Sequence, residues 1–276
     1  MKFTKIQGAG NDFIIIDNRS GEISRERYPA LAESLCARRL SIGADGLMMV
    51  ERPDAGGDLK MVFYNNDGSE GEMCGNGARC ISRWGFDRGL NNGELIRIET
   101  ASGTVVGRRV SERQYTVRLN SPSKIDLHRD VFGLDVSYIE LGVPGHPHCI
   151  VPYKLSENTD RDALRELGRR LRWYEGFPKG ANVTFCEVTG KDEVRALTFE
   201  RGVEDFTLAC GTGSGSTALA LTLRGLVSGN NVKLSVPGGD LFITVAQKKD
   251  GGWDIYLTGP TNKIAEGEIL DEEIKL

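Results

Sequence analysis

A second copy of one motif, placed half a chain length after the first, is the feature that most restricts what this chain can fold into. Cys74-Gly75-Asn76-Gly77-Ala78 resembles Cys210-Gly211-Thr212-Gly213-Ser214 at an offset of 136 residues (210 − 74) in a chain of 276. The same offset aligns Arg88-Gly89-Leu90 with Arg224-Gly225-Leu226, and the match continues without a gap from residue 61 to residue 106. Self-similarity over such a length predicts one structural unit built twice.

Each copy is expected to contain a strand, a Cys-Gly-x-Gly loop, a helix and two further strands. Gly89 and Gly225 are expected to end the two repeat helices in the left-handed conformation. The second repeat helix, predicted over Ser216–Arg224, is apolar on nearly all sides and should be buried. Two further helices are predicted over Pro29–Ala37 and Arg161–Leu171. Short strands are predicted over Phe13–Asp17, Leu59–Tyr64, Leu95–Glu99, Thr104–Val110, Tyr115–Leu119, Tyr138–Leu141, Ala181–Val188, Glu193–Phe199, Asn231–Val236, Leu241–Ala246 and Trp253–Leu257.

Composition argues against several classes of function. The net charge is −4, with 35 basic and 39 acidic residues, so nothing favours binding to nucleic acid phosphates. No stretch approaches the roughly 20 apolar residues of a membrane span, and no apolar signal core opens the chain, so we expect a cytoplasmic protein. Six cysteines without a Cys-x-x-Cys pair are expected to be thiols, not disulfides or zinc ligands.

The two repeated cysteines are the candidates for chemistry. A thiol at a helix N-terminus has its pKa lowered by the helix dipole, and the adjacent glycines let a carboxylate approach the backbone N–H groups. Two similar lobes that face each other would place Cys74 and Cys210 on opposite faces of one small acid. One thiolate would remove a proton and the other thiol would deliver one, which inverts a stereocentre. The remaining cysteines, Cys36, Cys80, Cys149 and Cys186, are expected in the core.

These residues resemble the diaminopimelate epimerases, racemases that work without pyridoxal phosphate. The similarity extends over essentially the whole chain. Its motifs are Gly8-Ala9-Gly10-Asn11-Asp12-Phe13, Gly43-Ala44-Asp45-Gly46, Asn65-Asn66-Asp67-Gly68-Ser69-Glu70 followed by Met73-Cys74-Gly75-Asn76-Gly77-Ala78-Arg79-Cys80, Glu200-Arg201-Gly202, Ala209-Cys210-Gly211-Thr212-Gly213 and Pro237-Gly238-Gly239.

The resemblance implies an α+β fold of two pseudo-symmetric lobes, each a curled, mostly antiparallel sheet wrapped around a central helix. The N-terminal lobe would comprise residues 1–118 plus 262–276, and the C-terminal lobe residues 119–261. It also implies that LL-diaminopimelate is converted to meso-diaminopimelate, for lysine and peptidoglycan precursor synthesis. No cofactor and no metal are expected, and the protein is expected to be a homodimer in the cytoplasm.

The resemblance also implies roles for individual residues. Cys74 and Cys210 would be the acid and the base, assisted by His148 and Glu200. The substrate's amino and carboxylate groups would be held by Asn11, Asn65, Asn182, Glu200 and Arg201, and its reacting carboxylate by Gly75, Asn76, Gly211 and Thr212. His146 stands where the family has a substrate-binding Asn.

Three departures from the family pattern leave other functions open. They are His146, the segment Val203–Leu208, which is one residue longer than the family's, and Ser214-Gly215-Ser216-Thr217 after the second cysteine. The first two favour a racemase of another polar amino acid as an alternative. A non-catalytic amino-acid-binding module is a third hypothesis. A thiol redox or metal protein that uses Cys74, Cys80, Cys149, His146 and His148 is a fourth.

Overall fold

The computed structural model describes residues 1–71 and 75–270, so the predicted catalytic Cys74 lies outside the described residues. The chain divides into two compact units. Unit 1 comprises Met1–Val117 together with Gly259–Leu276, and unit 2 is the continuous stretch Arg118–Thr258. These bounds lie within three residues of those of the two predicted lobes.

Strands dominate both units, and four α-helices accompany them in the described ranges. The helices are α1 (Tyr28–Cys36), α2 (Gly75–Asp87), α3 (Arg161–Arg172) and α4 (Gly211–Leu223). The strands are β1 (Lys2–Gly8), β2 (Asn11–Asp17), β3 (Gly46–Glu51), β4 (Leu59–Asn65), β5 (Leu95–Thr100), β6 (Gly103–Arg109), β7 (Gln114–Arg118), β8 (Pro122–Val131), β9 (Leu134–Leu141), β10 (His146–Pro152), β11 (Asn182–Gly190), β12 (Glu193–Glu200), β13 (Asp205–Phe206), β14 (Val232–Val236), β15 (Gly239–Gln247), β16 (Trp253–Pro260) and β17 (Asn262–Glu268).

The sheets of the two units have the same strand order. In unit 1 the order is β17-β1-β2-β3-β4-β5-β6-β7. In unit 2 it is β8-β9-β10-β11-β12-β14-β15-β16, with the short β13 also paired to β12. In each unit all of these pairs are antiparallel except two, β2–β3 and β4–β5 in unit 1 and β10–β11 and β12–β14 in unit 2. The predicted α+β fold with two mostly antiparallel, repeated lobes is confirmed.

The offset read from the sequence is kept in the structure. Helix α2 spans 75–87 and α4 spans 211–223, and both bounds differ by 136. The predicted start of α4 at Ser216 is wrong, because the helix begins five residues earlier at Gly211. Glycines have a low helix propensity, but here tertiary packing decides, since nearly every residue of the first three turns is buried. The predicted left-handed Gly89 and Gly225 are confirmed, with φ of +65° and +71°.

Each unit wraps its sheet around its repeat helix. Helix α2 contacts both β1 and β6, which lie five places apart in the sheet order, so the sheet must curl. Helix α4 contacts β9 and β15 in the same manner. A side chain at Gly215 of α4 would collide with Leu119, so this glycine lets the helix lie directly on its sheet. Helices α1 and α3 pack on β3 and β4 and on β11 and β12, respectively.

None of the helices that the structure describes is both long and apolar enough to cross a membrane.

Candidate active site

Cys210 is the N-cap residue of α4 and is 5 % exposed. Its Sγ accepts a hydrogen bond from the Gly213 N–H at 3.4 Å and lies 3.6 Å from Thr212 Oγ1. Its carbonyl accepts from Ser214 N–H at 2.9 Å, which closes the first turn of the helix. The first N–H groups of a helix have no partner within the helix, and the dipole favours negative charge there. The thiol therefore lies at a site suited to a carboxylate.

The first turn of α4, which follows Cys210, packs against β11 beside β12. A Cβ at Gly213 would lie 3.1 Å from Thr184 Oγ1 of β11 and 3.2 Å from Cys210 Sγ, so a side chain there would crowd both. Thr184 and Thr198 of β12 join their hydroxyls at 3.0 Å. Because β12 ends two residues later at Glu200, the thiol and the end of β12 belong to the same side of the unit 2 core.

Glu200 and Arg201 are held in a compact turn where β12 ends. The Thr207 hydroxyl donates to Glu200 Oε2 at 2.8 Å, and the Glu204 N–H donates to the Glu200 carbonyl at 2.8 Å. The Arg201 N–H donates to Asn182 Oδ1 at 2.8 Å. Glu200 and Arg201 are thus part of one hydrogen-bonded turn.

Asn182 is buried, and its side chain bonds to backbone on two sides. Its Oδ1 accepts from Arg201 N–H, and its Nδ2 donates to the Pro147 carbonyl at 3.3 Å. Asn182 is also the register partner of His148 across the parallel pair β10–β11. These contacts make Asn182 a residue that joins the His148 strand to the Arg201 turn.

His148 is a fully buried imidazole. Burial lowers its pKa well below 6.5, and the nearby His146 and Arg201 lower it further. Neither ring nitrogen has a hydrogen-bond partner in the described part of the chain. The ring centroid of His146 lies 5.5 Å away. His148 is therefore neutral and retains one nitrogen that can accept a proton and one that can donate.

In unit 1, Asn11 and Asn76 meet at the first turn of α2. Asn76 Nδ2 lies 3.5 Å from Asn11 Oδ1, and Arg79 donates to Asn76 Oδ1 at 3.0 Å. A Cβ at Gly8 would lie 3.4 Å from the Asn76 carbonyl, so the strand can approach the helix closely. The motifs around residues 8–13 and 75–79, far apart in sequence, thus form one site around Gly75, the residue after Cys74.

An ionic network that sequence reasoning missed fixes Asn11. Asn11 Nδ2 donates to Asp45 Oδ2 at 2.7 Å, and Arg38 bonds to both Asp45 Oδ1 at 2.8 Å and Asp12 Oδ1 at 2.6 Å. Lys5 pairs with Asp12 at 2.7 Å. Burial alone would raise the pKa of Asp12, but hydrogen bonds from Arg38 and Lys5 outweigh it, and the pKa lies below 3.8. The sequence offered one signal for this network, an aspartate in each of two family motifs: Asp12 in the motif of residues 8–13 and Asp45 in the motif of residues 43–46.

Asn65 behaves differently from Asn11 and Asn76. Its Nδ2 donates to Ser69 Oγ at 3.0 Å, and its main-chain N–H donates to the Ser69 carbonyl at 2.9 Å. These bonds close the loop after β4, which is the ordinary role of an Asn at a strand end.

The structure thus gathers two groups of predicted residues. Unit 2 holds Cys210, Gly211 and Thr212 at the start of α4, and it connects His146, His148, Asn182, Glu200 and Arg201 where β10, β11 and β12 begin or end. Unit 1 joins Asn11 to Asn76, next to Gly75, with Asn65 closing a loop of its own. Among residues 1–71 and 75–270, no three His, Cys, Asp or Glu side chains are placed to hold a metal ion.

Comparisons with known proteins identify the family of the chain. A family model described as diaminopimelate epimerase matches residues 3–125 and 143–264. A diaminopimelate epimerase of Aquifex aeolicus is 37 % identical over 291 aligned residues that cover all of both chains.

Solved structures with lower sequence identity share the fold. A Bacillus anthracis phenazine biosynthesis protein of the PhzF family has a TM-score of 0.75 at 15 % identity, over 98 % of this chain and 99 % of that one. A probable proline racemase from Agrobacterium radiobacter K84 has a TM-score of 0.70 at 12 % identity, over 99 % and 94 %. The family model and the full-length similarity to the Aquifex aeolicus protein show that the chain belongs to the diaminopimelate epimerase family.

Proposed function

We propose that this protein converts LL-diaminopimelate to meso-diaminopimelate by inverting one α-carbon, with Cys74 and Cys210 as the two acid–base groups. The observation that carries the proposal is a buried thiol in the N-cap turn of α4, with a second cysteine at the equivalent place of the repeat. Sequence identity of 37 % over the full length of a diaminopimelate epimerase supports this choice of substrate.

The chemistry needs no redox change. One thiolate takes the α-proton and becomes a thiol, and the other thiol gives its proton to the opposite face of the same carbon and becomes a thiolate. In between, negative charge spreads onto the substrate carboxylate. The N–H groups of Gly211 and Thr212 at the start of α4 are suited to stabilise that charge.

Glu200 and the neutral imidazole of His148 are proposed to move protons to and from the Cys210 thiol. Asn11, Asn65, Asn76, Asn182 and Arg201 are proposed to bind the substrate's polar groups. Asn11 is fixed for this role by Asp45, and the Arg201 backbone is fixed by Asn182.

A homodimer that works in the cytoplasm and supplies lysine and peptidoglycan precursors completes the proposal. It rests on the family membership of the chain. Multi-angle light scattering on the purified protein should give twice the chain mass of 30.2 kDa. A mass of one chain at working concentration would contradict the dimer.

Incubation of the reduced protein with LL-diaminopimelate in D₂O tests the reaction directly. We expect the α-proton NMR signal to disappear while the meso isomer forms, without added cofactor. Binding of the substrate with no exchange would support the amino-acid-binding module instead.

Cysteine variants test the mechanism. Replacing Cys210 by Ala should lower the inversion rate by about 10³-fold or more, since the group that exchanges a proton with one face is lost. Cys186→Ala is the matched control, because Cys186 is buried in β11 and burial raises its pKa to about 12. Inversion at the normal rate in Cys210→Ala would overturn the two-thiol mechanism.

A racemase of another polar amino acid is the second candidate. His146 in place of an Asn and the segment Val203–Leu208 favour it, since both depart from the family pattern near the substrate's proposed far end. If the protein exchanges the α-proton of another amino acid but not that of diaminopimelate in D₂O, this candidate replaces the first.

A further inference from the structure

Helix α3 ends in a buried arginine that belongs to none of the predicted site residues. Arg172 is 5 % exposed, and its Nε donates to Glu204 Oε1 at 3.1 Å. Its guanidinium carbon lies 4.0 Å from the ring centroid of Trp173. A charge buried to this degree is tolerated only with a partner, so the Glu204 carboxylate is required for the charge balance of this region.

Glu204 lies in the turn that carries Arg201. Its carboxylate accepts from Gly202 N–H at 3.1 Å as well as from Arg172, and its own N–H donates to the Glu200 carbonyl at 2.8 Å. Its φ is +56°, a left-handed conformation that a residue with a side chain adopts at a cost. The two bonds to its carboxylate hold the turn in that conformation.

Arg172 also holds the start of β11. Its carbonyl accepts from Ala181 N–H at 3.2 Å, and its guanidinium lies so close to Gly180 that a Cβ there would collide with it. The next residue, Asn182, accepts from Arg201 N–H at 2.8 Å. The contacts therefore close a ring that runs from Arg172 through Glu204 and Arg201 to Asn182 and back.

The rest of the segment has separate anchors. Asp205 pairs with Arg165 at 2.7 Å, and Phe206 packs edge-on against Phe199 with ring centroids 5.9 Å apart. Loss of the Glu204 carboxylate would leave these anchors in place. Its effect should therefore be confined to the turn from Glu200 to Glu204.

We infer that Arg172 and Glu204 are positioning residues that fix the Arg201 turn and so determine how tightly the substrate is bound. This inference rests on the proposed function, in which Arg201 binds polar groups of the substrate. Neither residue touches the reacting carbon in this scheme, so the inference assigns them to binding and not to proton transfer.

Glu204→Gly is the informative variant, because glycine accepts the left-handed backbone and only the carboxylate is lost. We expect KM for LL-diaminopimelate to rise about tenfold while kcat changes by less than about twofold. Glu204→Gln keeps an acceptor oxygen for the same donors, so its KM should stay within about threefold of the wild-type value. Val188→Ala, at a side chain of β11 that is 40 % exposed and lies six residues after Asn182, is the matched control and should change neither constant.

Hydrogen–deuterium exchange supplies a readout that does not need activity. In Glu204→Gly, the amides of residues 201–204 should exchange faster, while those of β12 before Phe199 should be unchanged. An unchanged KM or unchanged exchange would overturn the inference. So would a kcat that falls as much as KM rises, together with a large loss of unfolding free energy, since that would indicate general damage to the fold. A wild type that leaves diaminopimelate unchanged would instead refute the proposed function, and the exchange experiment would still test the turn.

Discussion

Asp12 and His148 lie on β2 and β10, the strands that hold the same place in the sheets of the two units. His148 is fully buried and the Asp12 side chain is 14 % exposed, and the two units stabilise them in different ways. Asp12 keeps its charge because Lys5 and Arg38 lie against it. His148 is neutral because burial and the nearby Arg201 disfavour its protonated form. The repeat therefore supplies equivalent strands, and the local partners of each side chain decide its charge.

The neutral state of His148 makes stability depend on pH. Its folded pKa lies below the unfolded value of 6.5, so the unfolded chain binds the proton more readily. The stabilisation is complete above pH 6.5 and falls with pH below it, by up to about 1.4 kcal/mol per pH unit. Urea unfolding from about pH 7 to pH 5 should show a shallower loss in His148→Asn than in the wild type. Equal slopes would mean that His148 binds its proton equally well in the folded and the unfolded chain.

Asp45 is expected to act through Asn11. Asp45→Ala removes the acceptor of the Asn11 amide and one partner of Arg38, so the asparagine loses its fixed orientation. We expect KM for diaminopimelate to rise about tenfold and the free energy of unfolding to fall by about 1–3 kcal/mol. Asp17→Ala at the other end of β2 breaks only a partly exposed pair with Arg19 and should cost at most about 1 kcal/mol without changing KM.

A strand with a clear alternating pattern was predictable, and several strands without one were missed. The predicted Trp253–Leu257 falls inside the observed β16, in which buried and partly exposed residues alternate. The central β3, by contrast, is buried at five consecutive positions and lacks the alternation that indicates a strand. β10 begins His-Pro-His, which argues against a strand by propensity, but parallel pairing with β11 overrides this. Local pattern thus fails where long-range pairing decides.

Close packing of α4 on its sheet should make Gly215 intolerant of any side chain. Alanine is a better helix former than glycine, but its Cβ would collide with Leu119. We expect Gly215→Ala to lower the free energy of unfolding by about 1–3 kcal/mol in urea titrations. Gly190→Ala, where the nearest atom lies at an ordinary 3.4 Å, should lose less than Gly215→Ala. A stabilised Gly215→Ala would show that propensity outweighs the contact.

At the scale of the molecule, the repeat predicted a unit built twice and singled out Cys74 and Cys210, and the resemblance to the family implied the other candidate site residues. The ion pairs that support the site residues could not be predicted from the sequence. Arg172 and Glu204 are 32 residues apart, and Asp12 and Arg38 are 26 residues apart. No local pattern relates such residues, because their pairing depends on how strands and helices pack.

Unit 2 is continuous in sequence and its ends lie together, which predicts that it folds by itself. Leu119 N–H donates to the Ile255 carbonyl at 2.9 Å, close to both ends of the unit. A fragment of residues 118–258 should therefore show cooperative unfolding by circular dichroism. A fragment of residues 1–117 should not, since it lacks β17 and the Thr261 carbonyl that binds Arg83 at 2.7 Å. Cooperative unfolding of the second fragment would contradict this.

The pairing of β1 with β17 also has a consequence for synthesis on the ribosome. Lys2 of β1 lies opposite Glu268 of β17, so β1 is synthesised long before the strand that pairs with it. At about 5–20 residues per second, one edge of β1 stays open for roughly 13–53 s while the intervening chain is translated. Unit 2 is complete before that moment. The nascent chain thus carries an unpaired strand edge next to a finished unit, the situation in which a holding chaperone is of most use.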